Sequence, residues 1–478
     1  MKNLLSSKDL RILTILEQLK NATHFTSNIL TITNTTQKTL NSDIDYINST
    51  FYPLKIVKNN NNELKLTMPK NYSFSYVYSK ILENSIEFRF LEIIFFETES
   101  NLQNLADHLF ISSSSLRRII TKLNKSLANL NITITFSPLR IIGKESAIRN
   151  FFIQYFMEKH ANGFYPFNKI QKKILDNLLN FILKKNCIQL NYTDLEKLRV
   201  TTMISLIRIQ NNHYNKLINI NNSIFDFSLG NNWILKQSFK TIFKITLSEE
   251  TVFHMVPFLF ENRFFFSIEH LIVVANTDTK VNIIKNNFSS IIDNLSNKFE
   301  LTCPNKNSLL VDLCNAYFLN YGAPFILYDF YTEFIDSFMI MKPDLIKFVK
   351  SEFIELFKNE KFEHYHLNNY IYILVTRWKD LYINIESNHR IPSIGVFYNT
   401  DFEQSIMIQN MIEFRFGKKV CVTTINDPDI QNILNSFSEY DLIVTNISGL
   451  ENENVICFSI FPTFKDWNNL QKSLSKLF

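Results

Sequence analysis

At 478 residues the chain is too long for one hydrophobic core, and at roughly 100 to 200 residues per domain it divides into several. Its 46% hydrophobic, 14% aromatic and 20% charged residues, with only 7 Gly, exclude a long disordered tail and favour packed helices over glycine-dependent phosphate loops. The net charge of +5 lies in the first third, where Met1 to His160 holds 19 Lys and Arg against 13 Asp and Glu, so the charge points to a polyanion-binding N-terminal region on a neutral body.

In chain order, Ser6 and Asp9 make a capping-box signature, and Leu10, Leu13, Leu16 and Leu19 share one face, which predicts a helix over residues 6 to 19. The stretch from Thr26 to Asn34 is polar and β-branched, a poor second helix. Leu40, Ile44 and Ile47 predict a recognition-type helix from Thr36 to Asn48, and two alternating runs, Leu54 to Lys58 and Glu63 to Met68, flank an Asn-rich turn. Three helices and a hairpin make a winged helix; a three-helix packing module without nucleic-acid contact is the competing reading.

The segment NLQNLADHLFISSSSLRRIITKLNKSL, residues 101 to 127, predicts a helix-turn-helix. Leu102, Leu105, Ala106 and Leu109 give one apolar stripe, and Leu116, Ile120, Leu123 and Leu127 give the other. Phe110-Ile111-Ser112-Ser113 makes a turn with Ser caps, and Arg117, Arg118, Lys122 and Lys125 face away from the contact with no acid among them. A strand pair at residues 132 to 145, turning at Gly143, leads into a helix from Ser146 to Lys159.

From about residue 165 to 390 the pattern is helical, with Asn-rich breaks near Asn219 to Asn222 and Thr277 to Asn287 that separate two bundles. After Pro392 the period changes. Runs at residues 394 to 398, 419 to 423 and 441 to 445 read as strands, separated by helices at Phe402 to Phe416 and from Asp427-Pro428-Asp429, an N-cap with Pro at the first helical position, to Phe437. Strands alternating with helices predict a small parallel α/β domain.

The first unit's TLxxDIxxIN pattern, the central LADHLFISSSSLRRIITKLN and the following RIIGKESAIRNFFIQYF resemble the Mga family of Gram-positive transcription regulators, which includes AtxA and MafR-type proteins. The resemblance runs over nearly the whole chain. It implies a multidomain, mainly α protein: a winged-helix DNA-binding domain at 1–70, a second helix-turn-helix domain at 71–165, domains like those through which the sugar phosphotransferase system (PTS) regulates at 166–283 and 284–390, and an enzyme IIB-like domain at 391–478. The implied function is that of a stand-alone cytoplasmic DNA-binding regulator, an activator of global or virulence-linked scope. Its partners would be double-stranded DNA, a second copy joined through the C-terminal region as a homodimer or higher oligomer, and a PTS phosphocarrier protein.

Carried over, Ser114, Ser115, Arg117, Arg118, Thr121, Lys122 and Lys125 fall on the outer face of the second recognition helix, and Gln37, Lys38, Asn41 and Ser42 on the first, with Lys55, Lys58 and Lys65 flanking the wing tip. Cations on one exposed helical face suit phosphate oxygens and the major groove. The candidate phosphoacceptors are His213, His254, His270, His364 and His366. The family's HLxxAxxR helix resembles residues 199 to 208, but Thr202 stands where its His would be, six residues before Arg208.

No enzyme is expected. The loop where an enzyme IIB carries its thiolate, Tyr398 to Asp401, has no Cys, and Cys421 and Cys457 lie in predicted strands as small buried hydrophobes. With Cys187, Cys303 and Cys314 they are odd in number and lack CxxC spacing, so neither a disulfide framework nor a metal site is indicated, and no cofactor motif occurs. No signal peptide or membrane span is read, because charged residues interrupt both the N-terminal apolar run and Val252 to Ala275. The alternatives are a PTS-linked signalling or phosphotransfer protein, and an RNA antiterminator.

Overall fold

A computed structural model describes residues 1–478 except 100, 161–166, 189, 215–225, 227, 231, 258–262, 359, 361–362, 388–390, 427–429, 451–453, 475–476 and 478. It is mainly helical and divides into two units, Met1–Asp293 with Asn305–Trp378, and Asn294–Pro304 with Lys379–Phe478.

The first unit opens with α1 (Ser7–Gln18), β1 (His24–Phe25), α2 (Thr26–Thr33), α3 (Gln37–Thr50), β2 (Lys55–Lys58) and β3 (Glu63–Thr67). The Ser6 hydroxyl accepts from the Asp9 N–H at 3.0 Å, so α1 starts where the capping signature placed it. The poor segment is nonetheless helical: Ile29 is buried, and the Thr26 N–H and hydroxyl both donate to the Asn62 carbonyl, at 2.9 and 2.7 Å, so tertiary contacts override weak propensity. The hairpin pairs Ile56 with Leu66, and β1 adds a third antiparallel strand in the order β1-β3-β2.

Then follow α4 (Ser75–Asn84), α5 (Ile86–Phe96), α6 (Leu102–His108), α7 (Ser113–Leu127), the hairpin β4 (Ile132–Phe136) and β5 (Leu139–Gly143), and α8 (Glu145–Lys159). One continuous core runs from Leu4 to Phe156 and takes in Val200, Ile204 and Ile207 from further along the chain. The helical middle comprises α9 (Lys169–Lys185), α10 (Tyr192–Gln210), α11 (Trp233–Ile242), α12 (Glu249–Met255), α13 (Ile268–Thr277), α14 (Thr279–Phe299), α15 (Lys306–Phe318), α16 (Phe330–Met341), α17 (Pro343–Leu356) and α18 (His364–Arg377). Helices α9 to α12 share a separate core built on Leu175, Leu206, Phe239 and Phe253.

The break expected over Thr277 to Asn287 is corrected to a single residue, Asp278, whose carboxylate accepts from the Lys280 N–H at 3.0 Å and starts α14. Val281, Ile284, Phe288, Ile291 and Ile292 are buried at helical spacing and outweigh the asparagines, so residues 283 and 284 lie inside an unbroken helix. The break expected at Asn219 to Asn222 lies outside the described residues.

The second unit contains α19 (Leu381–Ser387), β6 (Ser393–Phe397), α20 (Phe402–Phe416), β7 (Cys421–Thr424), α21 (Ile430–Ser436), β8 (Leu442–Thr445), β9 (Val455–Cys457) and α22 (Phe464–Leu474). Its parallel sheet has the order β7-β6-β8-β9. Cys421 and Cys457 are exposed, which corrects their reading as buried: they sit on the two edge strands, and the alternation of a strand turns Val422 and Ile456 inward instead. The expected Asp427-Pro428 cap lies outside the described residues.

Candidate nucleic-acid interface

Helices α2–α3 and α6–α7 are built alike, down to single hydrogen bonds. Each first helix ends in the same left-handed turn: the Thr35 N–H reaches the Leu30 carbonyl at 3.2 Å around Asn34 (φ 47°), and the Ile111 N–H reaches the Ala106 carbonyl at 3.0 Å around Phe110 (φ 57°). Each second helix is capped by a hydroxyl, Thr36 accepting from the Thr39 N–H and Ser112 from the Ser115 N–H. Each then fixes its wing with one asparagine. The Asn48 amide donates to the Ile56 carbonyl and accepts from the Ile56 N–H, at 3.1 and 2.7 Å. Asn124 does the same for Ile134 at 2.9 and 2.7 Å. The segment read only as a helix-turn-helix with a strand pair is therefore a second winged helix.

The outward faces differ. On α3, Gln37, Lys38, Asn41 and Ser42 are exposed, and the Gln37 amide donates to Asn41 at 2.8 Å. Asp43 is buried and accepts from Arg11 Nε and Nη2, at 2.6 and 3.0 Å, which ties α3 to α1 and takes that acid off the face. Lys55, Lys58 and Lys65 are exposed on the wing. On α7, Leu116, Ile120, Leu123 and Leu127 are buried as expected, while Ser114, Arg117, Arg118, Thr121 and Lys125 are exposed and Ser115 is half-buried. The Arg117 guanidinium lies 5.8 Å from the centre of the Phe136 ring at the tip of β4.

Lys122 departs from the expected outer face. Its ammonium donates to the Leu5 carbonyl and lies 3.3 Å from Glu87, so this charge joins α7 to the chain's first turn and to α5. An acid 35 positions earlier cannot be seen from helical spacing.

A cluster that motif reading missed joins this module to the helical middle. Glu145, the first residue of α8, accepts from Arg149 Nε at 2.8 Å and from Arg208 Nε and Nη2 at 3.0 and 2.9 Å. Arg208 also lies 3.6 Å from Glu97, which pairs with His213 Nε2 at 2.5 Å, and Arg149 donates to the backbone carbonyls of His213 and His254. Burial would raise the Glu145 carboxyl, but the Arg208 and Arg149 charges outweigh it and hold the group below its ordinary value. Glu145, Arg149 and Arg208 all stood in the motifs GKESAIR and residues 199 to 208, but no spacing said that they meet.

The five histidines do not form one group, although Arg149 holds the backbones of His213 and His254 together. His213 sits in this cluster. His254 is buried against the Tyr214 ring, and burial, reinforced by Arg149, lowers its pKa. His270 stacks on Phe266 with ring centres 5.0 Å apart and is lowered by burial. His364 is exposed near Asn368, and His366 accepts the Glu363 N–H at 3.1 Å in a capping box and is lowered by burial. Thr202 is buried and donates to the Leu198 carbonyl at 2.8 Å within its own helix. In the second unit, Asp401 caps α20 and Asn399 exchanges hydrogen bonds with Asn446, so the Cys-free loop after β6 is pinned to the end of β8. Among the described residues no cluster of three or more His, Cys, Asp or Glu could hold a metal ion, and no helix is long and apolar enough to cross a membrane.

Residues 70–156 match the model of the Mga helix-turn-helix domain. The chain is 26% identical over 471 residues to a putative trans-acting regulator of Streptococcus pneumoniae serotype 4, covering 95% of each chain. It is 23% identical over 422 residues, 85% of each chain, to the anthrax toxin expression trans-acting positive regulator of Bacillus anthracis. With the same organism's capsule synthesis positive regulator AcpA it shares 24% identity over 211 residues, 44% of this chain and 41% of the relative.

Proposed function

With the Mga/AtxA-like regulators as its relatives, we propose that this chain is a DNA-binding transcription regulator and not an enzyme, an activator that grips double-stranded DNA with two tandem winged-helix modules. The observation that carries this is the outer face of α7, where Arg117, Arg118 and Lys125 are exposed with no acid beside them while the opposite face is wholly buried. An α-helix so armed fits the major groove, with Arg117 and Arg118 on base edges or nearby phosphates and Lys125 on phosphate. Ser114, Ser115 and Thr121 add hydroxyl groups along the same face, the Thr121 hydroxyl donating to the Arg117 carbonyl at 2.9 Å. The first module would contribute Gln37, Lys38, Asn41 and Ser42 from α3, and Lys55, Lys58 and Lys65 from its wing.

Regulation through the helical middle is the finer part of this reading. Of the five histidines, His213 is favoured as a phosphoacceptor, because a phosphoryl group there would set new negative charge beside Glu97 and break the cluster that holds α8. Mass analysis after incubation with a PTS phosphocarrier protein reads the label. The second unit, as an enzyme IIB-like domain without the thiolate, is read as the self-association module: α20 exposes Ile406, Met407 and Phe414, the last 95% exposed. Light scattering of the intact chain reads the assembly.

The central test is fluorescence-anisotropy titration of duplex DNA across a range of salt. Arg117→Ala with Arg118→Ala should weaken binding by roughly 1 to 3 kcal/mol per lost base contact and reduce the salt slope by about 1 per lost phosphate contact. Unchanged affinity and slope would remove α7 from the interface.

A further inference from the structure

Phe110 is the most exposed large hydrophobic residue of the second module, at 90%, and it stands in the turn that delivers α7. Its backbone is left-handed at φ 57°, a conformation that suits Gly or Asn and is an outlier for a bulky side chain. The first module solves the same turn with Asn34 at φ 47°. The geometry therefore has an inexpensive solution within this very chain, and the second module does not use it. Phe110 gains nothing inside the fold in return: its ring projects into solvent, while the neighbouring Leu109 is buried and the Asp107 carbonyl and Ala106 carbonyl receive the turn's N–H groups whatever side chain stands there.

Position decides what an aromatic ring here would meet. Phe110 lies two residues before the Ser112 cap, beside the end of α7 that carries Ser114, Ser115, Arg117 and Arg118. In a helix-turn-helix this end of the second helix enters the major groove, so the preceding turn rides on the groove's edge, where deoxyribose and thymine methyl groups present the apolar surface of DNA. We propose that Phe110 is a DNA-contacting residue that packs its ring on this sugar and thymine-methyl surface and so sets the depth and register of α7 in the groove. The inference rests on the DNA-binding reading above. It adds an uncharged contact to a face whose other members are polar or cationic.

The test uses the full chain and a duplex selected by the wild-type chain from a random pool, with Phe110→Asn, Phe110→Gly and the Arg117→Ala, Arg118→Ala pair compared by anisotropy and thermal melting. Phe110→Asn and Phe110→Gly relieve the left-handed residue and should melt higher than wild type, yet bind roughly tenfold more weakly, with the salt slope unchanged because no charge is lost. The arginine pair should lower both affinity and slope. Higher melting with undiminished affinity in both Phe110 variants would overturn the proposal and leave DNA binding standing. A change in self-association without a change in DNA affinity would also overturn it, by assigning the ring to a second copy. If the arginine pair binds like wild type, it is the DNA-binding reading of α7 that fails, a different result from either.

Discussion

Arg208 is 1% exposed, and its Nε and Nη2 both donate to Glu145. Such a charge is tolerated in the interior only because its partners are fixed around it, and the converse is the useful consequence. Removing one member of a buried pair leaves the other desolvated and uncompensated, at a cost of about 3 to 5 kcal/mol. Arg208→Ala should therefore destabilise the chain by about that amount in urea denaturation, and Glu145→Ala by a similar amount. The double variant should cost clearly less than the two losses added, since the Arg208–Glu145 bonds are then lost only once, although Arg149 and Glu97 each still lose a partner. Strict additivity would show that the two residues do not interact across the α8–α10 contact. His213 and Glu97 sit in the same cluster, and the cycle isolates the part of it that joins α8 to α10.

Between residues and the whole lie the two winged modules, each clamped by one asparagine. Asn124 makes two hydrogen bonds to the Ile134 backbone, so Asn124→Ala leaves a β4 donor and acceptor without their partner and should cost about 1 to 3 kcal/mol, with faster amide exchange across β4 and β5 than across β2 and β3. Asn48→Ala should produce the mirror result in the first wing; equal exchange in both wings for either variant would refute the clamp. What was legible in the sequence here is what is local. The Ser6 and Ser112 caps, the Leu116 to Leu127 stripe and the hairpins were readable because each signal and its effect lie within a few residues. What was illegible is what the chain brings together from afar: Glu87 for Lys122, Glu145 for Arg208, Arg11 for the Asp43 that pattern reading left on a recognition helix. The same limit explains Cys421 and Cys457, since alternation alone cannot say that their strands are sheet edges. It also explains α2, whose polar, β-branched sequence is rescued by Asn62, far along the chain.

At the scale of the molecule, the winged modules and the helical middle of the first unit are held by polar contacts as well as by a shared core, and one of these contacts titrates near neutrality. Glu158, at the end of α8, accepts the N–H groups of Ile326, Leu327 and Tyr328 in the connection between α15 and α16. Burial pushes its carboxyl up to about 7, and the three backbone donors pull it back only in part. From the ordinary value of 4.5 up to about 7, the folded chain keeps a proton that the unfolded chain has released. This group therefore favours folding in acid, and that contribution is lost as pH rises through about 7, at no more than about 1.4 kcal/mol per pH unit. His160, His254, His270 and His366, all lowered by burial, act in the opposite sense, because they must gain a proton when the chain unfolds in acid. The difference between wild type and Glu158→Gln removes the histidine contribution, which both share. Urea denaturation from about pH 5 to about pH 8 should show the Gln variant gaining stability relative to wild type as pH rises to about 7 and levelling off above it, because only wild type must then bury a carboxylate. A difference that stays constant across the range would mean that Glu158 ionises at its ordinary value, and that the bond between α8 and the α15–α16 connection is insensitive to pH.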